Sequence, residues 1–232
     1  EDAHVYILRL DVRRGRVGHI QLHALARAQL KARLGLRLFI HAALSFADQR
    51  TCARTLTFNK DLTKHIAAAH GATVSPSITI NKGEIISKDD VIEELGLPLF
   101  VKPTCNGSSV GVSKVNTADD FDKAVDTAFA AGNQIMCEKF VKGRELACSV
   151  MEFKGKMMVF PLTEVVSKND FFDYEAKYTE GKSDEITPAE LEELEEIEVK
   201  ATSAFLYEKF GCKGFARFDY ILNEEGLFFI EV

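Results

Sequence analysis

The stretch Gly214–Val232 decides the fold of this chain and reads G-F-A-R-F-D-Y-I-L-N-E-E-G-L-F-F-I-E-V. Two apolar-rich segments flank Glu224-Glu225-Gly226, and three residues ending in a left-handed glycine are a common hairpin loop. Such a loop places Asp219 opposite Glu231 on neighbouring antiparallel strands. Because side chains alternate between the two faces of a strand, Arg217 shares the face of these carboxylates.

The two faces of this hairpin predict different roles. Opposed carboxylates repel one another unless a cation lies between them, and Mg²⁺ or Mn²⁺ with oxygen ligands meets that need. The neighbouring guanidinium suits a phosphoryl group. A solvated sheet face with an ordinary Arg–Asp pair explains the same residues, and the hairpin alone leaves both interpretations open. The other face is predicted to enter the core with Phe218, Tyr220, Leu222, Phe228, Ile230 and Val232.

A glycine-rich segment lies upstream at Val101–Val112, with the sequence V-K-P-T-C-N-G-S-S-V-G-V. It lacks the Gly-Lys-Ser/Thr ending of a Walker loop. Ser108 and Ser109 nevertheless lie in a predicted mobile turn between two strands, where backbone N–H groups suit phosphate, and Lys102 supplies a fixed positive charge. An ordinary hairpin turn is the alternative.

Two further segments suit a nucleotide site. Cys137–Glu145, C-E-K-F-V-K-G-R-E, has an acidic residue at a strand end followed by apolar residues, as an adenine pocket and a ribose require; an exposed linker is the alternative. Phe171–Tyr178, F-F-D-Y-E-A-K-Y, lies in the long irregular stretch 164–186. Aromatic residues in a polar loop suit a lid that excludes water, or a loop held to the surface by those aromatics.

Periodicity and capping signals predict the remaining elements. Helices are expected over Asp61–His70, from Ser87 to Leu95, from a capping box at Thr117 to Ala131, and from Pro188 to Gly211. The last helix is predicted to bury Leu191, Leu194, Ile197, Ala201, Ala204 and Phe205. Strands before the hairpin are predicted at Ser75–Asn81, Leu99–Lys102, Val110–Val115, Gln134–Phe140, Arg144–Phe153 and Lys156–Leu162. This mixed order predicts an α+β fold.

The charge distribution divides the chain of 232 residues near Arg54. The first 54 residues contain 10 Lys+Arg against four Asp+Glu, whereas the remainder contains 19 against 31, so the net charge of −6 is a sum over two unlike parts. A basic arm for nucleic acid would account for the first part. Its arginines alternate with leucine and alanine instead of aromatics, which argues against that interpretation and favours a coding artefact or a foreign segment.

The composition excludes several classes of protein. Five cysteines without a C-x-x-C pair fit reduced thiols in the cytoplasm, and neither a disulfide framework nor a zinc site. No apolar run approaches the roughly 18 residues of a membrane helix, and no signal peptide opens the chain. We therefore expect neither a membrane nor a nucleic-acid partner.

Taken in order, the motifs of residues 55 to 232 resemble one family. These are L-T-F-N-K ending at Lys60, V-K-P…G-S-S-V-G, E-K-F-V-K-G-R-E, F-F-D-Y-E-A-K-Y, D-E-I-T-P-A, and G-C-K-G-F-A-R-F-D-Y…E-V. The set is similar to D-alanine–D-alanine ligases, which are ATP-grasp enzymes of peptidoglycan precursor synthesis. The resemblance implies two α+β subdomains that clasp ATP, over residues 55–141 and 142–232, after an atypical segment 1–54.

The resemblance also implies the chemistry and its residues. ATP would phosphorylate a first D-alanine, and a second D-alanine would attack the acyl phosphate, with two Mg²⁺ ions neutralising charge. The implied ATP contacts are Lys60 and Lys102 on the phosphates, Ser108 and Ser109 in the lid, Glu138, Lys139 and Val141 around adenine, Glu145 on the ribose, and Lys177 toward the γ-phosphate. Arg217, Tyr178 and Ser108 would act in catalysis, and Asp219 and Glu231 would bind metal. The A-K-Y ending of the predicted lid resembles members that form the dipeptide.

The chain departs from the family pattern at both ends. Family members continue after Glu-Val with Asn-Thr-x-Pro-Gly, and their amino-terminal domain carries Gly-Gly-x-Ser-x-Glu and His-Gly-x-x-Gly-Glu-Asp-Gly motifs that residues 1–54 lack. We therefore expect the chain as printed to bind nucleotide weakly and to form no dipeptide. Two alternatives stay open: another ATP-grasp carboxylate–amine ligase, or a degenerate nucleotide-binding fragment. A homodimer is a further implication of the resemblance.

Overall fold

A computed structural model describes residues 6–7, 56–85, 87–167 and 183–232. The predicted lid residues Lys177 and Tyr178, and nearly all of segment 1–54, lie outside the described residues. None of the helices in the described ranges is long and apolar enough to cross a membrane.

The described strands and helices follow one another in the mixed order that the sequence predicts. The strands are β1 (Tyr6–Ile7), β2 (Thr73–Val74), β3 (Ser77–Asn81), β4 (Leu99–Pro103), β5 (Ser113–Val115), β6 (Gln134–Lys139), β7 (Arg144–Phe153), β8 (Lys156–Val159), β9 (Thr163–Ser167), β10 (Ser183–Ile186), β11 (Phe215–Asn223) and β12 (Gly226–Glu231). The helices are α1 (Lys60–Ala69), α2 (Lys88–Leu95), α3 (Phe121–Ala131) and α4 (Glu193–Lys209).

Local capping explains where the first three helices begin. The Asn59 side chain accepts a hydrogen bond from the backbone N–H of Leu62 at 3.0 Å and caps α1. Ser87 caps α2 in the same way. Before α3, Thr117 and Asp120 form the expected capping box around one turn of 3₁₀ helix.

A four-stranded antiparallel sheet in the order β3-β6-β4-β5 occupies the first half of the described chain. One face of this sheet packs against α2 and α3. The core between them contains Val91, Leu95, Leu99, Val101, Phe121, Ala128, Ile135 and Cys137. The opposite face of the sheet is therefore left for other contacts.

A second, larger sheet contains β1-β8-β7-β11-β12-β2 in that order, with β9 paired to β7 and to β10. Its pairs are antiparallel except β12–β2, which is parallel. Helices α4 and α1 cover one face, and the core there includes Ala67, Leu146, Cys148, Val199, Leu206, Tyr207, Phe218 and Phe229. The strands of the smaller sheet end at Lys139, and apart from β1 and β2 the strands of the larger sheet begin at Arg144.

The hairpin β11–β12 confirms the predicted pairing of Asp219 with Glu231, but by a different register. Asn223 pairs with Gly226, so the turn has two residues and not three. A bulge at Ile230 then shifts the register between Tyr220 and Asp219. The two errors cancel at Glu231.

The bulge also reverses the predicted facing of β12. Leu227 and Phe229 enter the core, whereas Ile230 is only partly buried and lies in the wall of a cleft. The prediction that Ile230 enters the core is therefore wrong, whereas Phe228 is buried as predicted, although outside the core cluster under α4 and α1. Counting back from Glu231 with strict alternation cannot reveal the extra residue. The extra residue moves every earlier position of the strand to the opposite face.

Helix α4 begins at Glu193, five residues later than the predicted start at Pro188. A capping box formed by Glu192 and Glu195 fixes this start, with the backbone N–H of Glu192 donating to the Glu195 carboxylate at 3.0 Å. The predicted burial is wrong for Leu194, which is 80% exposed, and for Phe205, which is 39% exposed.

Two other boundaries differ from prediction. The strand expected from Val110 starts only at Ser113, because residues 107–111 form a turn. The irregular stretch expected over 164–186 begins and ends with paired strands, in which Val165 faces Glu185 across β9 and β10.

Candidate active site

A cleft of about 680 Å³ lies between the two sheets. Its walls come from the face of the smaller sheet that α2 and α3 leave uncovered, from the hairpin β11–β12, and from the glycine-rich turn after β4. The alternation of side chains along β4 and β6 explains which residues reach the cleft. Val101 and Cys137 point into the core, so Lys102 and Glu138 point to the cleft side.

Glu138 is the centre of a buried charge cluster in the smaller sheet. Its Oε2 accepts a hydrogen bond from Lys102 Nζ at 2.5 Å. Its Oε1 accepts bonds from Lys64 Nζ at 2.5 Å and from Ser75 Oγ at 2.6 Å. Burial raises the pKa of Glu138, but the charges and hydrogen bonds of Lys102 and Lys64 outweigh it and lower that pKa to about 2. The carboxylate is therefore ionised at neutral pH.

The hairpin supplies the opposite wall, with charges of both signs. Arg217 donates from Nε and from one terminal nitrogen to the two Asp219 oxygens at 2.8 and 2.7 Å. The charge of Asp219, helped by Glu231 and Glu145, raises the pKa of the guanidinium. Lys60 Nζ lies 3.5 Å from Glu231 Oε2. Asp219 and Glu231 thus each face a cation.

The donor set of Asp219 and Glu231 fits a magnesium ion. Both are hard oxygen ligands, they are paired across adjacent strands, and both line the cleft. Magnesium is usually held by one or two protein carboxylates together with phosphate oxygens and water. No cluster of three or more His, Cys, Asp or Glu side chains suited to a metal occurs within residues 56–85, 87–167 and 183–232. The two carboxylates therefore suit a metal that a phosphorylated ligand helps to hold.

The glycine-rich turn closes one end of the cleft. Ser108 and Ser109 both have positive φ, 53° and 57°, so consecutive backbone units adopt the left-handed conformation. Gly111 has φ 77°, and a Cβ there would lie 2.8 Å from the Ala131 side chain. Lys60 Nζ donates to the Asn106 carbonyl at 2.6 Å and connects the turn to α1.

The other end of the cleft is more apolar. The rings of Phe100 and Phe140 meet edge to face with centroids 5.7 Å apart, and Lys114 Nζ lies 4.4 Å from the Phe140 centroid. Val141 completes this region. Apolar and aromatic side chains with a nearby cation suit the flat ring of a base.

A glycine connects the two sheets beside this apolar end. A Cβ at Gly143 would lie 2.5 Å from the Leu222 carbonyl oxygen, so the backbones approach as closely as glycine permits. Asn223 Nδ2 also donates to the Lys142 carbonyl at 2.9 Å. These contacts hold the segment between the sheets against β11.

A family comparison assigns most of this chain to a known family. Residues 66–232 match the family described as D-ala D-ala ligase C-terminus. The chain belongs to the D-ala D-ala ligase C-terminal family. Its α+β architecture is the ATP-grasp fold of that family.

The match covers only part of the length of each curated ligase. The D-alanine–D-alanine ligase of Flavobacterium psychrophilum is 44% identical over 177 residues, which span 76% of this chain and 54% of the relative. The Bacteroides fragilis ligase is 42% identical over 172 residues, 74% of this chain and 53% of the relative. The chain thus spans about half the length of the curated ligases it matches.

Solved structures of ligases share the fold. D-alanyl-alanine synthetase A from Vibrio cholerae is 28% identical, with a TM-score of 0.70 and coverage of 83% of this chain and 61% of that one. The VanG D-Ala:D-Ser ligase from Enterococcus faecalis is 27% identical, with a TM-score of 0.67 and coverage of 79% and 54%.

The structure brings together nearly all the residues that resemblance to the ligase family implied. The cleft is lined by Lys60, Lys102, Ser108, Ser109, Glu138, Lys139, Val141, Glu145, Arg217, Asp219 and Glu231. Lys177 and Tyr178 lie outside the described residues, and the individual role of each residue stays a prediction. Sequence reasoning missed Lys64, Ser75 and Lys114. For Lys64 a signal existed, because a residue four positions after Lys60 lies on the same face of a helix.

Proposed function

We propose that this chain forms the nucleotide- and metal-binding part of a D-alanine–D-alanine ligase, which joins two D-alanines through an acyl phosphate for peptidoglycan precursor synthesis. One observation carries the proposal: the hairpin carboxylates Asp219 and Glu231 meet Lys60, Lys102 and Arg217 in a single cleft between two sheets. Cations beside paired carboxylates suit phosphoryl transfer, in which catalysis depends on position and charge neutralisation.

ATP would lie along the cleft with its base at the apolar end. Phe140 and Val141 would pack on the adenine, and Glu145 would hold the ribose. Lys60 and Lys102 would contact the phosphates under the Ser108-Ser109 turn. The Bacillus anthracis ligase solved in complex with ATP, 23% identical, shares this fold with a TM-score of 0.64. Both oxygens of Glu138 already accept hydrogen bonds from lysines, which leaves its carboxylate less available for a contact with adenine.

Charge neutralisation around the reacting groups would come mainly from the hairpin. Asp219 and Glu231 would hold Mg²⁺, which when bound neutralises part of the negative charge of the phosphates. Arg217 would stabilise the negative charge that develops when the second amine adds to the acyl phosphate. Lys177 and Tyr178 keep their predicted roles toward the γ-phosphate and the substrates.

A chimera tests the activity directly. Residues 56–232, which include Lys60 and the whole of α1, replace the corresponding region of the Flavobacterium psychrophilum ligase. D-Alanyl-D-alanine is measured by chromatography with ATP, Mg²⁺ and D-alanine. We expect dipeptide formation within about a hundredfold of the parent enzyme, since the cleft carries the charged groups of the reaction. In the same chimera Arg217→Ala should lower the rate by about a hundredfold or more.

The control for this chimera is Lys88→Met, a change at a partly exposed position of α2 outside the cleft. Full retention of ATP binding by the folded chimera with no dipeptide at any D-alanine concentration contradicts the proposed reaction. Loss of ATP binding as well contradicts the proposed nucleotide site.

A second candidate differs only in the second substrate. The structural similarity to the VanG D-Ala:D-Ser ligase makes a ligase that accepts D-serine the second candidate. Competition between D-alanine and D-serine in the chimera separates the two, because a preference for D-serine identifies this alternative.

Four expectations from the sequence stay predictions. They are the division into subdomains at 141/142, the homodimer, the cytoplasmic location, and the inactivity of the chain as printed. The break between the sheets after Lys139 supports the first, and the unpaired Cys105, Cys137, Cys148 and Cys212 support a reducing compartment. Phosphate release that depends on both ATP and D-alanine, measured on the 232-residue chain, contradicts the last.

A further inference from the structure

Lys64 is a buried lysine that no step of the proposed reaction uses. It lies one helical turn after Lys60 in α1, and its side chain is 3% exposed. The ammonium donates to the Ser75 carbonyl at 2.7 Å, to the Ser75 and Ser77 hydroxyls at 3.1 and 3.0 Å, and to Glu138 Oε1 at 2.5 Å. A buried charge of this kind is costly unless a partner compensates it.

The partner of Lys64 is also the partner of Lys102. Glu138 uses Oε1 for Lys64 and Ser75, and it uses Oε2 for Lys102. Two ammonium groups and one carboxylate share this buried position, so these three groups carry a net charge of +1 beside the cleft. The carboxylate of Asp61 also acts on Lys64, and it is a weaker influence than Glu138. Burial lowers the pKa of Lys64, and the charge and hydrogen bond of Glu138 oppose that effect.

We propose that Lys64 is a positioning residue that neutralises Glu138 and thereby leaves the positive charge of Lys102 available to the nucleotide phosphates. This inference rests on the proposed ATP site. Without Lys64, Lys102 is the cation that remains on the Glu138 carboxylate among the residues that the structure describes. Because both groups are buried, their charges then cancel within the protein and attract a phosphate only weakly.

The contacts argue for this role over that of a simple link between α1 and the sheet. The two serines alone would satisfy a neutral hydrogen-bonding side chain at position 64, so the link does not require a charge. The ammonium instead bonds to the same carboxylate as the lysine that lines the cleft. Its positive charge, rather than its volume, is the feature that Lys102 needs.

Two variants of the 232-residue chain test this role, with ATP and adenosine as probes in calorimetric binding. Lys64→Met should weaken ATP binding by at least about tenfold, since it removes one partner of a buried charge group, and should leave adenosine binding unchanged. Lys64→Met/Glu138→Gln removes the negative charge as well and should restore the ratio of ATP to adenosine affinity to within about threefold of the original chain. Lys88→Met on α2 is the matched control and should change neither affinity.

The outcomes separate the inference from the function on which it rests. Failure of the original chain to bind ATP contradicts the proposed function. Where that chain binds ATP, unchanged ATP affinity in Lys64→Met overturns the inference alone. An equal loss of ATP and adenosine affinity indicates a structural role and also overturns it. If thermal denaturation shows that Lys64→Met does not fold, the double variant Lys64→Met/Glu138→Gln tests the inference alone. A ratio of ATP to adenosine affinity in that variant that is still tenfold below that of the original chain contradicts a role of Lys64 through Glu138.

Discussion

Glu138 shows how one residue can contribute to both stability and the site. Its carboxylate is 5% exposed and bonds to two lysines that come from different elements, α1 and β4. A buried ion pair is stabilising only if its geometry and additional hydrogen bonds offset the cost of desolvation. Here Ser75 provides such a bond, and the low pKa of Glu138 indicates that the charged form is the stable one.

The pKa of Glu138 predicts how stability depends on pH. Its folded value of about 2 lies below the ordinary 4.5, so its contribution is complete above about pH 5 and disappears as the pH falls toward 2. Glu138→Gln should therefore lower the free energy of unfolding by about 3 kcal/mol at pH 7, with the difference from the original chain shrinking below pH 4.5. Urea denaturation between pH 7 and pH 3 measures this.

The control for that series is Glu94→Gln, which changes an exposed glutamate on α2. It should follow the original chain throughout. A difference between Glu138→Gln and the original chain that stays constant from pH 7 to pH 3 contradicts the lowered pKa.

At the scale of single residues, the sequence predicts the site better than it predicts the residues that support it. Lys102 and Arg217 stand inside recognisable motifs, and the structure brings both to one cleft. Ser75 carries no motif of its own, and the spacing of Lys64 from Lys60 indicates a shared helix face without indicating its partner. Their role depends on the pairing of β3 with β6, which brings Ser77 opposite Glu138 across 61 positions of sequence, and no local pattern encodes that distance.

At the scale of elements, the hairpin β11–β12 shows what a sequence pattern cannot contain. The predicted pair Asp219–Glu231 is confirmed, yet the two-residue turn and the bulge at Ile230 both differ from the expected register. Apolar residues occupy every position from Leu227 to Ile230, so no alternation marks where the phase changes. In contrast, Ser87 and Asn59 cap α2 and α1 through local side-chain contacts, and such starts can be predicted from sequence.

The bulge leads to a prediction on core stability. Phe229 is fully buried against Phe210 and Tyr220. Phe229→Ala should therefore lower the free energy of unfolding by about 3–5 kcal/mol. Ile230→Ala, in the cleft wall, should cost much less, because part of that side chain already contacts solvent. Chemical denaturation of the two variants measures both values. If side chains alternated along β12 without a bulge, Ile230→Ala would be the more destabilising change. Observing that order would rule out the bulge.

Helix α4 illustrates a competition between signals. Pro188 is suited to the first turn of a helix, but Glu192 and Glu195 form a capping box that satisfies the first N–H groups four residues later. Arg144 contributes from outside the helix, since it bonds to Glu164 at 2.7 Å and to the Glu190 carbonyl at 2.6 Å and so holds the segment before the helix against β7. A tertiary contact of this kind overrides the local preference.

At the scale of the whole molecule, the cleft exists because each sheet uses only one face for its core. Helices cover that core face of each sheet, and the segment through Gly143 holds the two sheets together at one edge. A ligand in the cleft therefore contacts both sheets at once. Any ligand that binds only the folded state raises the free energy of unfolding by mass action.

This coupling predicts the effect of ATP and magnesium on thermal unfolding of the chain. With both present at about 100 times the dissociation constant, stability should rise by about 2.7 kcal/mol, which for a chain of this size raises the melting temperature by about 5–10 °C. Magnesium should supply part of the increase, because Asp219 and Glu231 repel the phosphates unless a cation lies between them. Scanning fluorimetry with ATP, with and without Mg²⁺, measures the shift.

The carboxylates are tested by the double variant Asp219→Asn/Glu231→Gln. It should keep a smaller shift with ATP and lose the part that depends on magnesium, whereas Glu224→Gln in the exposed hairpin turn should behave like the original chain. Equal shifts with and without Mg²⁺ in the original chain contradict a metal at this hairpin. A magnesium-dependent shift that survives in the double variant places the metal on other groups, and the pairing of Asp219 with Glu231 then serves only to position Arg217 and Lys60.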